Sequence, residues 1–401
     1  MPHVLLKLFT LWCFGFSVIV CLEDILVIDG HNDLPWNIYS KLGLNLSNYE
    51  FTKNLTSDPV WGRENCKSCH TDLPRMKAGK VGAQFWSAYV SCKSSYKDAV
   101  ELTMEIIDLI HRFVEKYPQH LEFVTTSQGI LNAFQAGKIA SLIGVEGGHS
   151  IDSRLGILRK YYQLGVRYMT LTHSCNTPWA DASPVDADPS APNHAGLTDF
   201  GKKVILEMNR LGMLVDISHV SRRVMEQVLE ISLAPVIFSH SSAYAINAHH
   251  RNVQDDILGK LVVNKGIIMV NFYAGFVAAD PQKATIDTII DHINHIVNIT
   301  GHDNVGIGGD YDGVERQPQG LEDVSKYQDL FAALQRKNPQ RWTVENLKKL
   351  GHKNLIRVLA EAEKVRDSLI FAEPDSSVID KIDLENENAI NGDIKKCRSD
   401  L

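Results

Sequence analysis

Imidazoles and carboxylates close the apolar runs of this chain. His31 and Asp33 end the run that starts at Leu26, and Glu146 ends 140–145. His173 follows 168–172, His219 follows 213–218, His240 follows 236–239, and Asp310 follows 305–309. Neutral imidazole with carboxylate suits Zn²⁺, Mn²⁺ or Co²⁺ better than Ca²⁺. His31 and Asp33 stand two apart, and in an extended chain such positions point the same way. His219 and His240 end successive strands, so they neighbour each other on one rim. Glu146 supplies charge between the two pairs, and a carboxylate has two oxygens with which to bridge two ions. The pattern predicts a two-metal site with open positions for water and substrate. A lone histidine at a strand end is commonly structural, and His149 competes with Glu146 as a ligand. All five groups fall on one predicted rim, and the joint pattern is what points to a metal site. His111, His120, His292 and His295 lie on helical or polar segments and read as surface residues.

The elements that must position these groups read as buried strands alternating with helices. Strands are expected at 26–31, 121–125, 139–145, 168–173, 213–218, 235–240, 267–272 and 305–309. Helical patterns fill 99–117, 152–164, 199–211, 221–231 and 284–299. Thr198 and Gly212 bracket the third of these as cap residues. Right-handed β–α units in this number point to an α/β fold, a (β/α)8 TIM barrel of the metal-dependent hydrolase type with long loop insertions. An open doubly wound sheet is the alternative, but no Gly-rich dinucleotide fingerprint follows the first strand. Residues 34–98 and 174–197 read as long loops on the catalytic face. Helices are expected at 324–334, 343–350 and 353–367. The domain reading is a signal peptide at 1–22, one barrel domain at 23–370 and a polar tail at 371–401.

The chain has 401 residues and a formal charge of -7, and 22% of its residues are charged. No basic cluster offsets the acidity, which argues against a nucleic-acid partner. Lys7 precedes an almost wholly apolar segment, 8–22, read as a secretory signal cleaved near Cys21 or Leu22, with an uncleaved anchor as the alternative. Five cysteines then remain: Cys66, Cys69, Cys92, Cys175 and Cys397. An odd number in an oxidising compartment implies an intermolecular bridge or a free thiol. The Cys66-x-x-Cys69 pair reads as a local loop disulfide. Sequons at Asn45, Asn54 and Asn298 fit a secreted glycoprotein.

Ile28-Asp29-Gly30-His31-Asn32-Asp33-Leu34-Pro35 resembles the opening motif of the membrane (renal) dipeptidases. Gly144-Val145-Glu146-Gly147-Gly148-His149, Thr170-Leu171-Thr172-His173-Ser174, Asp216-Ile217-Ser218-His219, Phe238-Ser239-His240-Ser241 and Gly309-Asp310-Tyr311-Asp312-Gly313 extend the likeness over about residues 25–370. The resemblance implies a zinc-dependent dipeptidase on a (β/α)8 barrel, cleaving dipeptides by attack of a metal-bridging hydroxide. Cysteinyl-glycine conjugates and β-lactams are further substrates of some members. It implies two zinc ions per chain. His31 and Asp33 would hold one, His219 and His240 the other, and Glu146 would bridge them. His173 would bind the developing oxyanion, Arg251 the substrate carboxylate, and Asp310 would handle the proton. It also implies a Cys92–Cys175 disulfide and, through Cys397, a disulfide-linked homodimer. Asn247 and Ala279 stand where vertebrate members carry a second pair, and Phe276 stands where they have a cleft tyrosine. No apolar anchor signal is evident at the C-terminus. Related barrel hydrolases such as lactonases or deaminases show His-x-His on the first strand, unlike His31-Asn32-Asp33. A non-catalytic binding homologue would have lost a ligand, and none is lost.

Overall fold

The computed structural model describes residues 25–384 except Pro189 and Pro192. The expected signal segment and Cys397 lie outside the described residues. Among the described residues there are nine parallel strands: β1 (Val27–Asn32), β2 (Val81–Tyr89), β3 (Leu121–Phe123), β4 (Ile139–Glu146), β5 (Val166–Thr170), β6 (Leu214–Asp216), β7 (Ile237–Phe238), β8 (Ile267–Val270) and β9 (Val305–Ile307). Eight of them close in the order β2, β1, β9, β8, β7, β6, β5, β4, with β2 pairing back to β4 along Ala83↔Ala140 to Tyr89↔Glu146. This is the expected (β/α)8 barrel.

The membership of the barrel differs from expectation in one stave. β3 pairs only with the start of β4, Leu121↔Ile139 to Phe123↔Ser141, and lies outside the closed ring. The second stave is β2, inside the segment read as a loop. Gly82, Gln84 and Ser87 interrupt its apolar pattern, so it lacks the β-branched run that marks its neighbours. Two of its polar side chains find partners inside the barrel: Gln84 Nε2 donates to Asp29 O at 3.3 Å, and Ser87 Oγ to Glu146 Oε2 at 3.3 Å. The rest of 34–98 is also ordered, with a helix at Leu34–Leu42 and another at Leu73–Ala78.

One buried cluster draws Ile28, Phe85, Leu142, Tyr168, Leu214, Ile237, Ile267 and Met269 from the staves, while a larger one joins the sheet to its helices. The helices start and stop as their sequences direct. The Thr198 side chain accepts the Gly201 N–H at the head of Asp199–Leu211, and Gly212 ends that helix at φ 74°. Ser221 likewise caps Arg222–Ile231 by accepting the Val224 N–H. The expected helices at 343–350 and 353–367 are Val344–Lys348 and Asn354–Ser368, joined by a π-turn. At the end of the barrel where the strands begin, Gln328 Nε2 donates to Ile25 O at 2.9 Å, and His352 Nδ1 contacts Leu26 O at 3.0 Å. Cys66–Cys69 and Cys92–Cys175 both form disulfides. Among the described residues, no helix is long and apolar enough to cross a membrane.

Candidate active site

The residues singled out in the sequence meet at the C-terminal mouth of the barrel. Glu146, the last residue of β4, is the hub. Its Oε2 lies 3.4 Å from His31 Nε2, and its Oε1 lies 3.2 Å from His219 Nε2 and 3.6 Å from His240 Nε2. The two oxygens thus face two different groups. His31 Nε2 is also 3.1 Å from Asp33 Oδ2, yet it makes no hydrogen bond there. Asp33 Oδ1 is buried without a partner. Donors at about 2.0–2.2 Å from a tetrahedral zinc stand about 3.3–3.6 Å from one another. The separations of 3.2, 3.4 and 3.6 Å around Glu146 lie close to that spacing, while His31 Nε2 to Asp33 Oδ2 at 3.1 Å and His219 Nε2 to His240 Nε2 at 2.7 Å are shorter.

Hydrogen bonds behind the rings decide which nitrogen carries a lone pair. The Tyr168 hydroxyl donates to Gly30 O at 3.1 Å, so its oxygen accepts from His31 Nδ1–H at 2.9 Å. Ser239 Oγ–H donates to Asp216 Oδ2 at 2.6 Å and accepts from His240 Nδ1–H at 2.8 Å. Both relays put a proton on Nδ1 and turn Nε2 toward Glu146, the atom a neutral ring offers a divalent cation. Burial disfavours a charged His31, but Tyr168, Glu146 and Asp33 outweigh it and hold its pKa well above the usual value. Burial, then nearby Arg251 for His219 and His31 for His240, holds both imidazoles well below their usual pKa, hence neutral. Glycine makes room for the first relay: a Cβ on Gly144 would stand 2.0 Å from Tyr168 Cζ. Another on Gly313 would stand 2.3 Å from Asp33 Oδ2. His219 at φ 67° and Asp310 at φ 58° adopt the left-handed conformation, so the chain turns sharply as each side chain enters the mouth.

A cleft of about 540 Å³ opens above this centre. Asp310 accepts from Asn271 Nδ2 at 2.8 Å, and burial pushes its carboxyl up to about 7. It also lies within ligand distance of His31 and Asp33. Arg251 is 4% exposed, and its Nε and Nη1 have no partner. Burial lowers its pKa to about 10, which leaves it charged at neutral pH. His173 Nε2 is 4.0 Å from Glu146 Oε1, and its Nδ1 is 3.0 Å from Ser174 Oγ. Its pKa is lowered to about 3, first by burial and then by His149.

A family model described as Membrane dipeptidase (Peptidase family M19) matches residues 19–372. The chain belongs to this family. Dipeptidase 3 of Macaca fascicularis is 46% identical over 346 residues, covering 86% of this chain and 67% of that protein. Dipeptidase 3 of Homo sapiens is 46% identical over 341 residues, covering 85% and 66%. The chain therefore spans about two thirds of these curated relatives. A metallo peptidase from Rhodobacter sphaeroides, solved with a phosphinate mimic of the dipeptide L-Ala-D-Ala, superposes with TM-score 0.72 at 23% identity over 85% of this chain and 100% of that one. A dipeptidase AC structure gives 0.72 at 24% identity over 85% and 99%. At these identities the two structures speak for the fold.

Family membership makes the chain a metallo-dipeptidase, a hydrolase. In this chain, all eight site residues read from the sequence line one mouth or its centre. His149 is not at the hub: its Nε2 contacts Val90 O at 3.0 Å beneath the cleft. His292, expected at the surface, is fully buried between Ala243 N–H and Val277 O. An apolar helix face around it conceals that role from a reading of residue types. Asp33 has left the strand, with φ -96° and ψ 21°, so its approach to His31 owes more to the helix start at Leu34 than to strand alternation. Sequence reasoning missed the wall formed by Tyr89, at the end of β2, and Trp36, in the helix Leu34–Leu42, both inside the segment read as a loop. It also passed over Tyr168 and Asp216. An aspartate inside an apolar run needs buried partners, and that was the available signal.

Proposed function

We propose that this chain is a zinc dipeptidase of the secretory pathway, acting as a secreted or cell-surface protein, with two zinc ions per chain. His31 and Asp33 would hold one, His219 and His240 the other, with Glu146 bridging. The observation that carries this is the division of labour at Glu146, one oxygen toward His31 and the other toward His219 and His240. Bound zinc supplies Lewis acidity at the carbonyl and lowers the pKa of water toward about 7.

The protein's own groups do the rest. The guanidinium of Arg251, whose Nη2 donates to His240 O at 3.4 Å while Nε and Nη1 have no partner, pairs with the free carboxylate of the dipeptide, since a buried cation without its anion is costly. That contact sets the scissile bond above Glu146. Ser174 Oγ lies 3.0 Å from His173 Nδ1, and in the tautomer where Ser174 donates, the proton on Nε2 meets the carbonyl oxygen as it gains charge. Asp310 takes the proton of the attacking water and gives it to the leaving amine as the C–N bond breaks. A carboxyl near neutrality suits both halves of that exchange. Asn271 holds the other end of its geometry.

Glu146→Gln keeps the shape of the hub and removes its charge. Elemental analysis is expected to show at least one zinc lost, together with turnover. Two retained ions and near-normal turnover would remove the two-metal assignment. The exposed sequon residues Asn45, Asn54 and Asn298 support passage through the secretory pathway. A covalent homodimer through Cys397 is part of the same reading. Non-reducing electrophoresis should show a dimer that collapses in Cys397→Ser, and a wild-type monomer on that gel refutes the bridge.

A further inference from the structure

Beside Arg251 the cleft carries a pair of imidazoles that the reaction does not use. His249 and His250 both line it, their rings stacked at 4.4 Å between centroids. His249 also lies 4.7 Å from Phe276, whose ring sits 5.2 Å from the Arg251 guanidinium. The backbone N–H of Arg251 donates to His249 Nδ1 at 3.1 Å. A backbone N–H can only donate, so Nδ1 holds a lone pair and the proton of the neutral ring sits on Nε2. Burial, then the neighbouring His250 and Arg251, lowers the His249 pKa to about 4, so the ring is neutral at physiological pH. His250 is anchored differently, through Nδ1 to Ser183 Oγ at 2.9 Å, and Ser183 N–H in turn donates to His219 O at 2.7 Å. Both rings are therefore fixed through Nδ1, and their Nε2 edges remain for a ligand.

We infer that His249 and His250 form a subsite for the side chain of the C-terminal residue, favouring a carboxylate or amide there. This rests on the dipeptidase reading and deepens it. With the α-carboxylate held by Arg251, the side chain on the same Cα meets residues adjacent to Arg251. An aliphatic side chain leaves the Nε2–H edge without an acceptor in a partly desolvated cleft. An aspartate, asparagine, glutamate or glutamine side chain supplies one. Sites that hydrogen-bond a substrate group discriminate against analogues lacking it more strongly than apolar pockets do. The edge is half-exposed, so the expected preference is about tenfold.

The test uses the zinc-loaded full chain with L-Ala-L-Asp, L-Ala-L-Leu and L-Ala-L-Phe. Turnover is paired with calorimetric binding of phosphinate mimics of the first two. The wild type is expected to favour Ala-Asp over Ala-Leu about tenfold in kcat/KM and in mimic affinity. His249→Phe keeps a ring against Phe276 and removes the donor, and it should bring both ratios near one. His249→Gln restores an N–H and an acceptor, and it should recover most of the preference. Equal use of Ala-Asp and Ala-Leu by the wild type overturns the inference and leaves the dipeptidase reading intact. So does a ratio that His249→Phe does not move, or a preference for Ala-Phe that this variant strengthens. A folded, zinc-loaded wild type that binds neither mimic and cleaves no dipeptide overturns both.

Discussion

Asp310 holds its backbone at φ 58° and its carboxylate 2.8 Å from Asn271 Nδ2. A left-handed non-glycine residue costs about 1–3 kcal/mol unless its surroundings impose it. Asp310 and His219 both sit in that region, and both face the centre rather than solvent. At Asp310 the two candidate roles separate cleanly. As a proton carrier, Asp310→Asn should lower turnover by roughly two to four decades with zinc content unchanged. Its proximity to His31 and Asp33 makes the other outcome concrete. If zinc and turnover fall together, Asp310 is a ligand and the proton has another carrier.

Several strands present a reactive residue at or just past their end, and β5 and β6 also carry supporting residues within them, Tyr168 and Asp216. Asp216 in β6 accepts from Thr170 Oγ1 of β5 at 2.6 Å, from the Ser218 and Ser239 N–H groups at 3.0 and 2.9 Å, and from Ser239 Oγ. One buried carboxylate thereby couples three staves and aims His240. Ser239→Ala removes the link to the ring while leaving Asp216 three donors, so the barrel should remain folded. Zinc affinity measured by chelator competition is expected to fall about 10–100-fold, the usual loss when support behind a ligand goes. Unchanged affinity would show that His240 needs no such support. The strand ends were legible because β-branched runs stop abruptly at His, Asp and Glu. β2 was not, because a stave whose inner face carries Ser87 and whose backbone includes Gly82 has no apolar signature. The relays were illegible for a related reason. Tyr168, Asp216 and Ser239 look like interruptions of apolar runs until their partners on neighbouring strands are known. The pairing Cys92–Cys175, implied only by resemblance, is present, and it joins the end of β2 to the loop after β5.

Across the molecule, buried ionisable groups tie stability to pH in opposing senses. His292 accepts Ala243 N–H at 3.0 Å and donates from Nε2 to Val277 O at 2.9 Å, which only the neutral ring can do. Burial lowers its pKa to about 4. An unfolded histidine titrates near about 6.5, so between those values the unfolded chain binds more protons, and stability from His292 is lost as pH falls. Asp312, pushed up to about 7 by burial, works the other way, since its folded form takes the proton first. The informative quantity is therefore a difference. His292→Gln should be less stable than wild type at pH 7.5. That deficit should shrink by about 2–3 kcal/mol at pH 4.5, measured by urea unfolding. A deficit independent of pH would mean the ring is not held neutral.

The contacts of Ile25 and Leu26 with Gln328 and His352 fix where the polypeptide enters the barrel. Entry is at the floor, and the cleft is at the ceiling, one full strand length away. A segment attached at Ile25 therefore joins the barrel at its floor, on the side away from the cleft. If such a segment tethers the protein to a bilayer, the mouth looks outward into the surrounding fluid. Immobilisation through that same end should then leave access for small peptides as free as it is in solution.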